Sequence, residues 1–428
     1  MRELPRSWNW ARFGDVASID SNLVDPANHL TLPHIAPNHI ESRTGRLLPY
    51  STIKEDGVTS GKHLFHSGHI LYSKIRPYLA KAVRVDFEGL CSADMYPVST
   101  GLDTGYLHQW LISSEFTALA AGEQGRSVLP KINQESLNKL PVPVPPLAEQ
   151  ARIVAVIEEH LSRLYVASSS LESAEARLNL LESRAVEDAF TSVDGRLPIG
   201  ELAEVRGGIQ KQPKRKPKHN RAPFLRVANV GHGQLDLGEV HEIELFEGEL
   251  ERHRLQAGDL LVVEGNGSAT QIGRSAVWHG DIGDCVHQNH LIRVRPGPLL
   301  DAEFLGLFWN APSTRGQLTA VASSTSGLHT LSTAKVKQIE VPVVSIVEQR
   351  AIVEELNARL GTFAHLRASL GVARARKASL NRSILAAAFS GQLVAQDPDD
   401  EPASVLLDRI GAERETATPP KRKRRSRS

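Results

Sequence analysis

The chain has 428 residues, of which 41% are hydrophobic and 23% charged, a composition typical of a folded globular protein with two or more domains. No stretch reaches the ~20 apolar residues of a membrane helix, and the first residues lack the apolar segment of a secretory signal, so we expect a cytoplasmic protein. With only Cys91 and Cys285, a disulfide framework is excluded. The formal net charge of +1 does not itself indicate nucleic acid, so the distribution of charge must decide.

The first segment, residues 4–139, mixes strand-like runs such as HILYSKI with the helical stretch TGYLHQWLISSEFTALAA, and turn residues separate them. This pattern predicts a mixed α/β domain. His63, His66 and His69 are spaced by threes, but they lie among Gly and Ser beside a strand-like run. We interpret them as satisfied or exposed histidines, because a metal site normally needs a fourth ligand and an outer shell.

A long helix is predicted from Leu147. Apolar residues recur there in two seven-residue series, the pattern of a coiled-coil seam. Pro145 and Pro146 suit a first helical turn, and Gly195 lies just beyond the other end. The seam residues that we select for helix–helix packing are Val154, Ile157, Leu161, Leu164 and Leu171.

The rest of the chain repeats this plan. LPVPVPPLAEQARIV from Leu140 recurs as IEVPVVSIVEQRAIV from Ile339, 199 residues later, and the register then continues without a gap. Upstream, FGDVASI resembles IGELAEV, and GHILYSKI resembles GDLLVVEG, with sliding offsets. The chain is therefore two copies of one plan, each a variable module followed by a constant helix. In the second helix the selected seam residues are Val353, Leu356, Leu360, Phe363 and Leu370.

Neither helix has an apolar face that its own copy would cover. We therefore expect the two helices to pack against each other in antiparallel orientation, with one variable module at each end. At about 1.5 Å per residue, a helix of about 44 residues is roughly 65 Å long and acts as a spacer. Two unrelated core helices are the alternative, which the matched register disfavours.

Motifs of catalysis are missing from the sequence. There is no Asn-Pro-Pro-aromatic or Asp-Pro-Pro-aromatic tetrapeptide of a DNA methyltransferase and no nucleotide-binding P-loop. GNGS at residues 265–268 lacks the glycine spacing of a phosphate loop and is interpreted as a turn. The acidic run at residues 399–401 resembles a solvated linker more than a nuclease site. No catalytic residue and no metal ligand is predicted.

Residues suited to DNA contact occur in both variable modules, since base edges are read by Arg, Lys, Asn and Gln, and phosphates attract positive charge. In the first module Tyr72 and Tyr78 are interleaved with cations. The candidates there are Arg43, Arg46, Lys54, Lys62, Lys74, Arg76, Lys81, Arg126 and Lys131. In the second module the candidates are Lys211, Lys214, Arg215, Lys216, Lys218, Gln271, Arg274, Gln288, Asn289, His290 and His329. SSTSGLHTLS, from Ser323, is either a phosphate-binding loop or a turn.

The end of the chain is polar and basic, with KRKRRSRS from Lys421, and we expect disorder there. The predicted boundaries are residues 1–140 for the first variable domain, 141–192 for the first helical spacer, 193–340 for the second variable domain, 341–395 for the second spacer and 396–428 for a linker and disordered basic tail.

The motifs LPVPVPPLAEQARIVAVIEE, EVPVVSIVEQRAIVEELN and AAAFSGQLVAQDPDDEPASVLLDRI resemble the constant regions of specificity subunits of type I restriction-modification systems. The resemblance spans nearly the whole chain, although the basic ending departs from the family pattern. It implies an α/β (α+β) fold in which two mixed α/β target-recognition domains are separated by two long antiparallel coiled-coil helices, with an internal pseudo-two-fold repeat.

The resemblance also implies a function. Each target-recognition domain would read one half of a split, asymmetric site in double-stranded DNA, and the helices would set the gap. This chain would bind no cofactor and catalyse nothing. Two modification subunits would supply S-adenosylmethionine and methylate adenine, and restriction subunits would add ATP- and Mg-dependent cleavage.

Two other hypotheses remain open. In the first, the chain is a coiled-coil scaffold that binds proteins and no DNA. In the second, it is a self-contained enzyme that binds and modifies DNA. The scaffold leaves the cationic cluster at residues 211–218 unexplained, and the enzyme lacks the expected motifs. Saturable binding of S-adenosylmethionine by the chain alone would favour the enzyme.

Overall fold

A computed structural model describes residues 3–122, 130–191, 193, 195–266, 271–325 and 328–417. The chain forms two compact units. Unit 1 consists of Met1–Ser170 and Val372–Ser428, and unit 2 of Leu171–Gly371. Two long helices, α5 (Leu147–Thr191) and α11 (Ile346–Phe389), contribute to both units. Their 45 and 44 residues confirm the long helices that the heptad patterns predict.

Unit 1 contains ten strands and five short or medium helices in the described residues, besides its parts of α5 and α11. The strands are β1 (Asn9–Arg12), β2 (Ala17–Ile19), β3 (Leu23–Val24), β4 (His34–Ile35), β5 (Lys62–Phe65), β6 (Ile70–Ser73), β7 (Ala82–Arg84), β8 (Gly89–Cys91), β9 (Met95–Thr100) and β10 (Pro141–Val144). The helices are α1 (Phe13–Val16), α2 (Thr104–Ile112), α3 (Ser114–Gly122), α4 (Gln134–Lys139) and α12 (Ala403–Ala417).

Unit 1 is layered around a central sheet of order β2-β9-β6-β7. Because side chains alternate across a strand, Ile70 and Tyr72 face a core shared with Trp110 of α2, whereas Leu71 faces a second core with Ile35 of β4. The second sheet, β3-β5-β8-β4, covers that other face, and β1 pairs with β10 beside them. Helices on one face and a sheet on the other bury the central sheet on both sides.

Unit 2 contains twelve strands and five helices in the described residues, besides its parts of α5 and α11. The strands are β11 (Arg196–Pro198), β12 (Ala203–Gly207), β13 (Arg221–Leu225), β14 (His241–Glu244), β15 (Leu260–Val263), β16 (Gly265–Asn266), β17 (Ser275–Val277), β18 (Val286–His287), β19 (Leu291–Pro296), β20 (Ser323–Thr325), β21 (Leu328–Thr330) and β22 (Glu340–Pro342). The helices are α6 (Ile199–Leu202), α7 (Glu249–His253), α8 (Ala302–Trp309), α9 (Pro312–Val321) and α10 (Thr333–Val336).

Unit 2 repeats the topology of unit 1. Its central sheet has the order β12-β19-β15-β17, strand for strand the counterpart of β2-β9-β6-β7, and β11 pairs with β22 as β1 pairs with β10. Each unit also has one short parallel pair, β4 with β8 and β13 with β18. Unit 2 adds a small sheet, β16-β21-β20. The internal repeat and the mixed α/β fold predicted from the sequence are thereby confirmed.

In each unit, one long helix has near its end a buried phenylalanine that packs against aromatic residues of that unit. Phe389, near the end of α11, packs edge-on against Tyr106 and Trp110 in unit 1. Phe190, near the end of α5, packs in the same way against Phe304 and Phe308 in unit 2. Both phenylalanines are buried, and aromatic pairs of this geometry add to the apolar burial.

A glutamine near the start of each long helix repeats as well. The Gln150 side chain accepts a hydrogen bond from the backbone N–H of Asp103 and donates to the carbonyl of Pro145. Gln349 accepts from the backbone N–H of Asp301 and donates to the carbonyl of Val344. Each glutamine therefore fixes its helix start to the cap of α2 or α8, with its buried polar atoms paired.

The predicted seam residues divide between the units. Val154, Ile157, Leu161 and Leu164 join the core of unit 1, together with Ile384 and Leu385 of α11. Val353, Leu356, Leu360 and Phe363 join the core of unit 2, together with Ala185 of α5. Leu171 and Leu370 are half-buried and lie outside these clusters. In unit 2 Arg367 bonds Glu182, while residues 185–189 lie beside residues 352–359, so the helices run antiparallel there.

The segment expected to be a linker and tail differs in part from that expectation. Residues 403–417 form α12, whose Ala403, Leu406 and Ile410 pack into the core of unit 1. The tip of Ile410 fills the space that a side chain at Gly101 would need. Residues 418–428 lie outside the described residues. Within those described, no helix combines the length and apolarity needed to cross a membrane.

Candidate nucleic-acid interface

The two central sheets each end in a turn that carries several of the predicted contact residues. In unit 1 the turn joins β6 to β7, and we define tip 1 as residues 74–81 with Asp94 and Lys131. In unit 2 the turn joins β15 to β17, and we define tip 2 as residues 264–266 and 271–274 with His290. The tips correspond because Ser73 pairs with Met95 and Val263 pairs with Leu291 at the strand ends.

Tip 1 holds one carboxylate among cations. Asp94 lies 3.1 Å from the Lys131 ammonium and 4.0 Å from that of Lys74. The Lys74 ammonium donates to the carbonyl of Ala93 at 2.6 Å and lies over the Tyr96 ring. Two cations for one acid leave this surface positive, which favours a polyanion.

The turn of tip 1 has an unusual backbone. Arg76 (φ 48°) and Ala80 (φ 47°) both adopt left-handed conformations that non-glycine residues seldom adopt. The backbone N–H of Arg76 donates to the carbonyl of Pro130 at 2.8 Å, and that of Arg43 donates to Ala80 at 3.1 Å. Arg43 is itself left-handed, with φ 65°. Strained residues of this kind cluster at functional sites.

Tip 2 is built differently on the same frame. Glu264 takes the position of Lys74 and lies 3.1 Å from His290, which takes the position of Asp94. Residues 265–266 pair with β21, which also pairs with β20 in antiparallel orientation. The segment SSTSGLHTLS therefore includes these two strands, and a phosphate-binding role for it stays a prediction. His329 lies on β21, and residues 267–270 lie outside the described residues.

Two of the predicted contact residues hold equivalent intramolecular positions. The Lys81 ammonium donates to the carbonyl of Pro37 at 2.6 Å. Arg274, its counterpart at the end of the tip 2 turn, donates to the carbonyls of Val227 and Val230 at 3.0 and 2.7 Å. Pro37 and Val227 each begin a short 3₁₀ turn. Both cations therefore brace their tip against the second sheet.

The cationic segment of residues 211–218 is also sorted by the structure. Arg215 makes a two-point contact with Glu249 at 2.7 and 2.8 Å and stacks on the Phe246 ring. Hydrogen bonds from Arg215 lower the pKa of Glu249 to about 2. Arg215 thus anchors the segment to α7, whereas the exposed ammonium groups project from it. These are Lys211, Lys214, Lys216 and Lys218.

The other predicted contact residues have mixed surroundings. Lys62 is buried, its ammonium bonds Ser60, and burial lowers its pKa. Arg46 makes a two-point contact with Glu41. Lys54 and Arg76 are exposed, and within the described chain their side chains have no hydrogen-bond partner. Gln288 and Asn289 are half-buried beside tip 2, where Gln271 lies 3.5 Å from Arg274. Arg126 lies outside the described residues.

The two tyrosines interleaved with cations in the first module, Tyr72 and Tyr78, have different surroundings. Tyr72 is buried in the core, where burial raises its pKa. Tyr78 stands on the strained turn of tip 1 and is 41% exposed. The sequence signal for this distinction is weak, because only the proline at position 77 marks the turn.

Two of the three histidines considered as metal ligands, and one residue of the acidic run, form ion pairs within the protein. His66 lies 2.9 Å from Glu88, and His69 lies 3.1 Å from Asp20. Asp400, in the acidic run after α11, forms a two-point contact with Arg152 of α5. In the described part of the chain no group of three or more His, Cys, Asp or Glu side chains is arranged to hold a metal ion.

Comparison with known proteins shows which proteins this chain is similar to. Residues 5–166 match the family model for the type I restriction modification DNA specificity domain. That range contains the whole of tip 1 and the first part of α5. The first part of the chain is therefore similar to a DNA specificity domain of this type.

Named relatives extend the comparison. The chain is 46% identical over 187 residues to the type I restriction enzyme EcoDI specificity subunit of Escherichia coli, a match covering 44% of this chain and 42% of that protein. It is 28% identical over 345 residues to the EcoKI specificity subunit of E. coli strain K12, covering 74% and 72%. The match therefore spans under half of the first relative. Together they confirm the resemblance to type I specificity subunits that the sequence motifs predict.

Solved structures share the fold. A chain from a study of complex assembly and conformational transition of the type I R-M system aligns with a TM-score of 0.76 at 21% identity, covering 92% of this chain and all of that one. The HsdS subunit from Thermoanaerobacter tengcongensis aligns with a TM-score of 0.57 at 21% identity, over 92% and 99%. These likenesses support the two mixed domains and long helices.

Proposed function

We propose that this chain is the DNA-reading, non-catalytic specificity subunit of a type I restriction-modification complex. Tip 1 and tip 2 each read one half of a split, asymmetric site in double-stranded DNA, and the long helices set the gap between the halves. The observation that carries this proposal is the repeated fold: the two units share one buried frame but differ at the tips. A protein that reads two different half-sites needs such an arrangement.

The charges of the tips support this proposal. Phosphate contacts position a protein on DNA, and side chains that reach base edges give specificity. The exposed ammonium groups of residues 211–218 suit the first task, as do Arg43 and Arg76. Tyr78, Gln288 and Asn289 suit the second, because their side chains present apolar or two-point polar groups. Lys62, Lys81, Arg215 and Arg274 contribute by holding the frame.

The partners follow from the repeat. Two similar helical segments offer two copies of one partner equivalent surfaces, and we propose two modification subunits there. Those subunits supply S-adenosylmethionine and methylate adenine, and restriction subunits use ATP and Mg²⁺. The proposed domain limits are those given from the sequence, with α12 added to the first domain.

The scaffold hypothesis is less well supported. A protein that only joins partners has no need of two tips with different charges on one frame, and the family match falls on a DNA specificity domain. A self-contained methyltransferase is disfavoured by the lack of its motifs in the sequence. Saturable S-adenosylmethionine binding by the purified chain would restore that hypothesis.

The test is mapping of adenine methylation in cells that express the chain with its modification subunit, against cells without the chain. We expect a split motif that disappears when this chain alone is removed. A second variant has residues 211–218 replaced by Gly and Ser. Because these residues are proposed phosphate contacts, we expect weaker methylation of the same motif. Methylation that is independent of the chain would refute the proposal and favour the scaffold.

A further inference from the structure

We propose that Tyr78 is a specificity-determining residue of the first half-site, with its ring in apolar contact with base edges. This inference rests on the proposed function and goes beyond it, because it assigns a reading contact to one side chain. It depends on the turn that carries Tyr78, on the charges around it and on the difference from tip 2.

The turn is held rigidly in a conformation that its sequence does not prefer. Left-handed Arg76 and Ala80 stand on either side of Pro77, Tyr78 and Leu79. Backbone hydrogen bonds fix both ends of this segment, and Pro77 within it is buried. A side chain mounted on such a turn loses little further freedom on binding.

The exposure of Tyr78 has no structural explanation in unit 1. Tyr78 is 41% exposed, and within the described residues no other aromatic ring or cation stacks on its ring. Tyr50, equally exposed at 41%, differs because its ring stacks on Phe87 with the centroids 5.6 Å apart. Tyr78 therefore presents a free apolar surface on a rigid mount.

The cations beside Tyr78 favour DNA as the partner of this ring. The Arg43 guanidinium donates to the carbonyl of Tyr78 at 3.3 Å while remaining exposed. Arg76 is exposed two residues before the ring, and Lys81 follows three residues after it. Phosphates bound by Arg43 and Arg76 would place the ring in a groove, where apolar side chains contact thymine methyl groups.

Tip 2 has no counterpart of this residue. The corresponding segment, EGNGSATQIGR at residues 264–274, contains no aromatic residue. The two tips thus differ in kind as well as in charge. The contact should therefore affect one half-site and leave the other unchanged.

The experiment maps the methylated motif of the full chain with its modification subunit for Tyr78→Ala and Tyr78→Phe, with Tyr50→Ala as the equally exposed control. For Tyr78→Ala we expect discrimination to fall on the order of tenfold to a hundredfold at one or two adjacent base pairs of one half-site. Tyr78→Phe keeps the ring and should retain the motif, as should Tyr50→Ala.

Three results would overturn the assignment. The first is an unchanged motif with Tyr78→Ala, and the second is equal loss at both half-sites, which indicates a general loss of folding or affinity. Thermal unfolding of each variant shows whether an equal loss at both half-sites comes from a loss of folding. Tyr78→Leu, which keeps the apolar bulk of the side chain, is measured in the same way. The third is a wild-type chain that directs no motif at all, in which case the proposed function fails and this assignment fails with it.

Discussion

Unit 1 and unit 2 agree at the buried anchors of their long helices and differ at their exposed tips. Gln150 and Gln349 make equivalent hydrogen bonds in the two units. Phe389 and Phe190 fill equivalent aromatic pockets, one in each unit. At the tips the charges are exchanged: Lys74 beside Asp94 in one unit stands where Glu264 beside His290 stands in the other. The buried frame is therefore one solution used twice, and the tips are free to diverge.

The largest effect should come from breaking the shared frame. Phe389→Ala and Phe190→Ala each remove a buried ring from one unit, and we expect each to lower the free energy of unfolding by about 3–5 kcal/mol. Denaturant unfolding of the full chain measures this loss. Leu366→Ala, an exposed α11 position, is the control, and similar losses for all three variants would contradict the anchoring role.

Acid should destabilise each unit through a different buried histidine. Burial lowers the pKa of His108 to about 4 in unit 1 and that of His287 to about 3 in unit 2. The counterparts are Gly306 and Cys91, so each unit has its own buried neutral histidine. Folding keeps these histidines unprotonated, so stability is complete above the usual histidine pKa and falls as the pH drops toward 4.

We expect each histidine to account for about 2–3 kcal/mol of the stability lost between pH 7 and 4.5. His287→Cys, which installs the residue of unit 1, should remove that share for unit 2. Unfolding of wild type and variant at both pH values measures the difference. A variant as acid-sensitive as wild type would exclude His287 as a cause. His108→Gln is the corresponding change in unit 1.

The sequence predicts the frame better than the tips, and the reason is physical. A register that continues for fifty residues reflects packing that both copies must satisfy, so Gln150 and Gln349 already lie in the matched motif. Lys81 and Arg274 look like ordinary surface cations in the sequence. Their role depends on a carbonyl some forty residues away along the chain, which no local pattern indicates.

The helix α12 is a second feature that the sequence alone does not reveal. The basic residues that follow it dominate the composition, so the sequence suggests a tail. The apolar residues from Ala403 to Ile410 can be recognised as a packing face only once the space beside Gly101, which Ile410 fills, is known. Arg414 then bonds the backbone of Gly14 and Ala17, a contact that joins residues four hundred positions apart.

The exchange of charge between the tips can be tested directly. Asp94→His together with Lys74→Glu gives tip 1 the pair found in tip 2. We expect recognition of the first half-site to weaken by about 1–3 kcal/mol per base pair affected, with the second half-site unchanged. Binding to duplexes altered in one half-site at a time measures this. Glu135→Gln with Lys139→Gln, a surface ion pair on α4, is the control and should leave both half-sites as they are.

The smallest effect concerns a feature that unit 1 lacks. Lys211, Lys216 and Lys218 are exposed, whereas Arg215 between them is anchored to Glu249. Changing the three lysines to Ala should leave the motif unchanged and reduce the salt dependence of DNA binding, because each lost phosphate contact lowers the slope of log K against log[salt] by about 0.9. Titrations from low to moderate salt measure that slope. Arg215→Ala, by contrast, removes the contact to Glu249 and should loosen the segment itself. A loss of sequence preference in the triple lysine variant would mean that these lysines read bases instead.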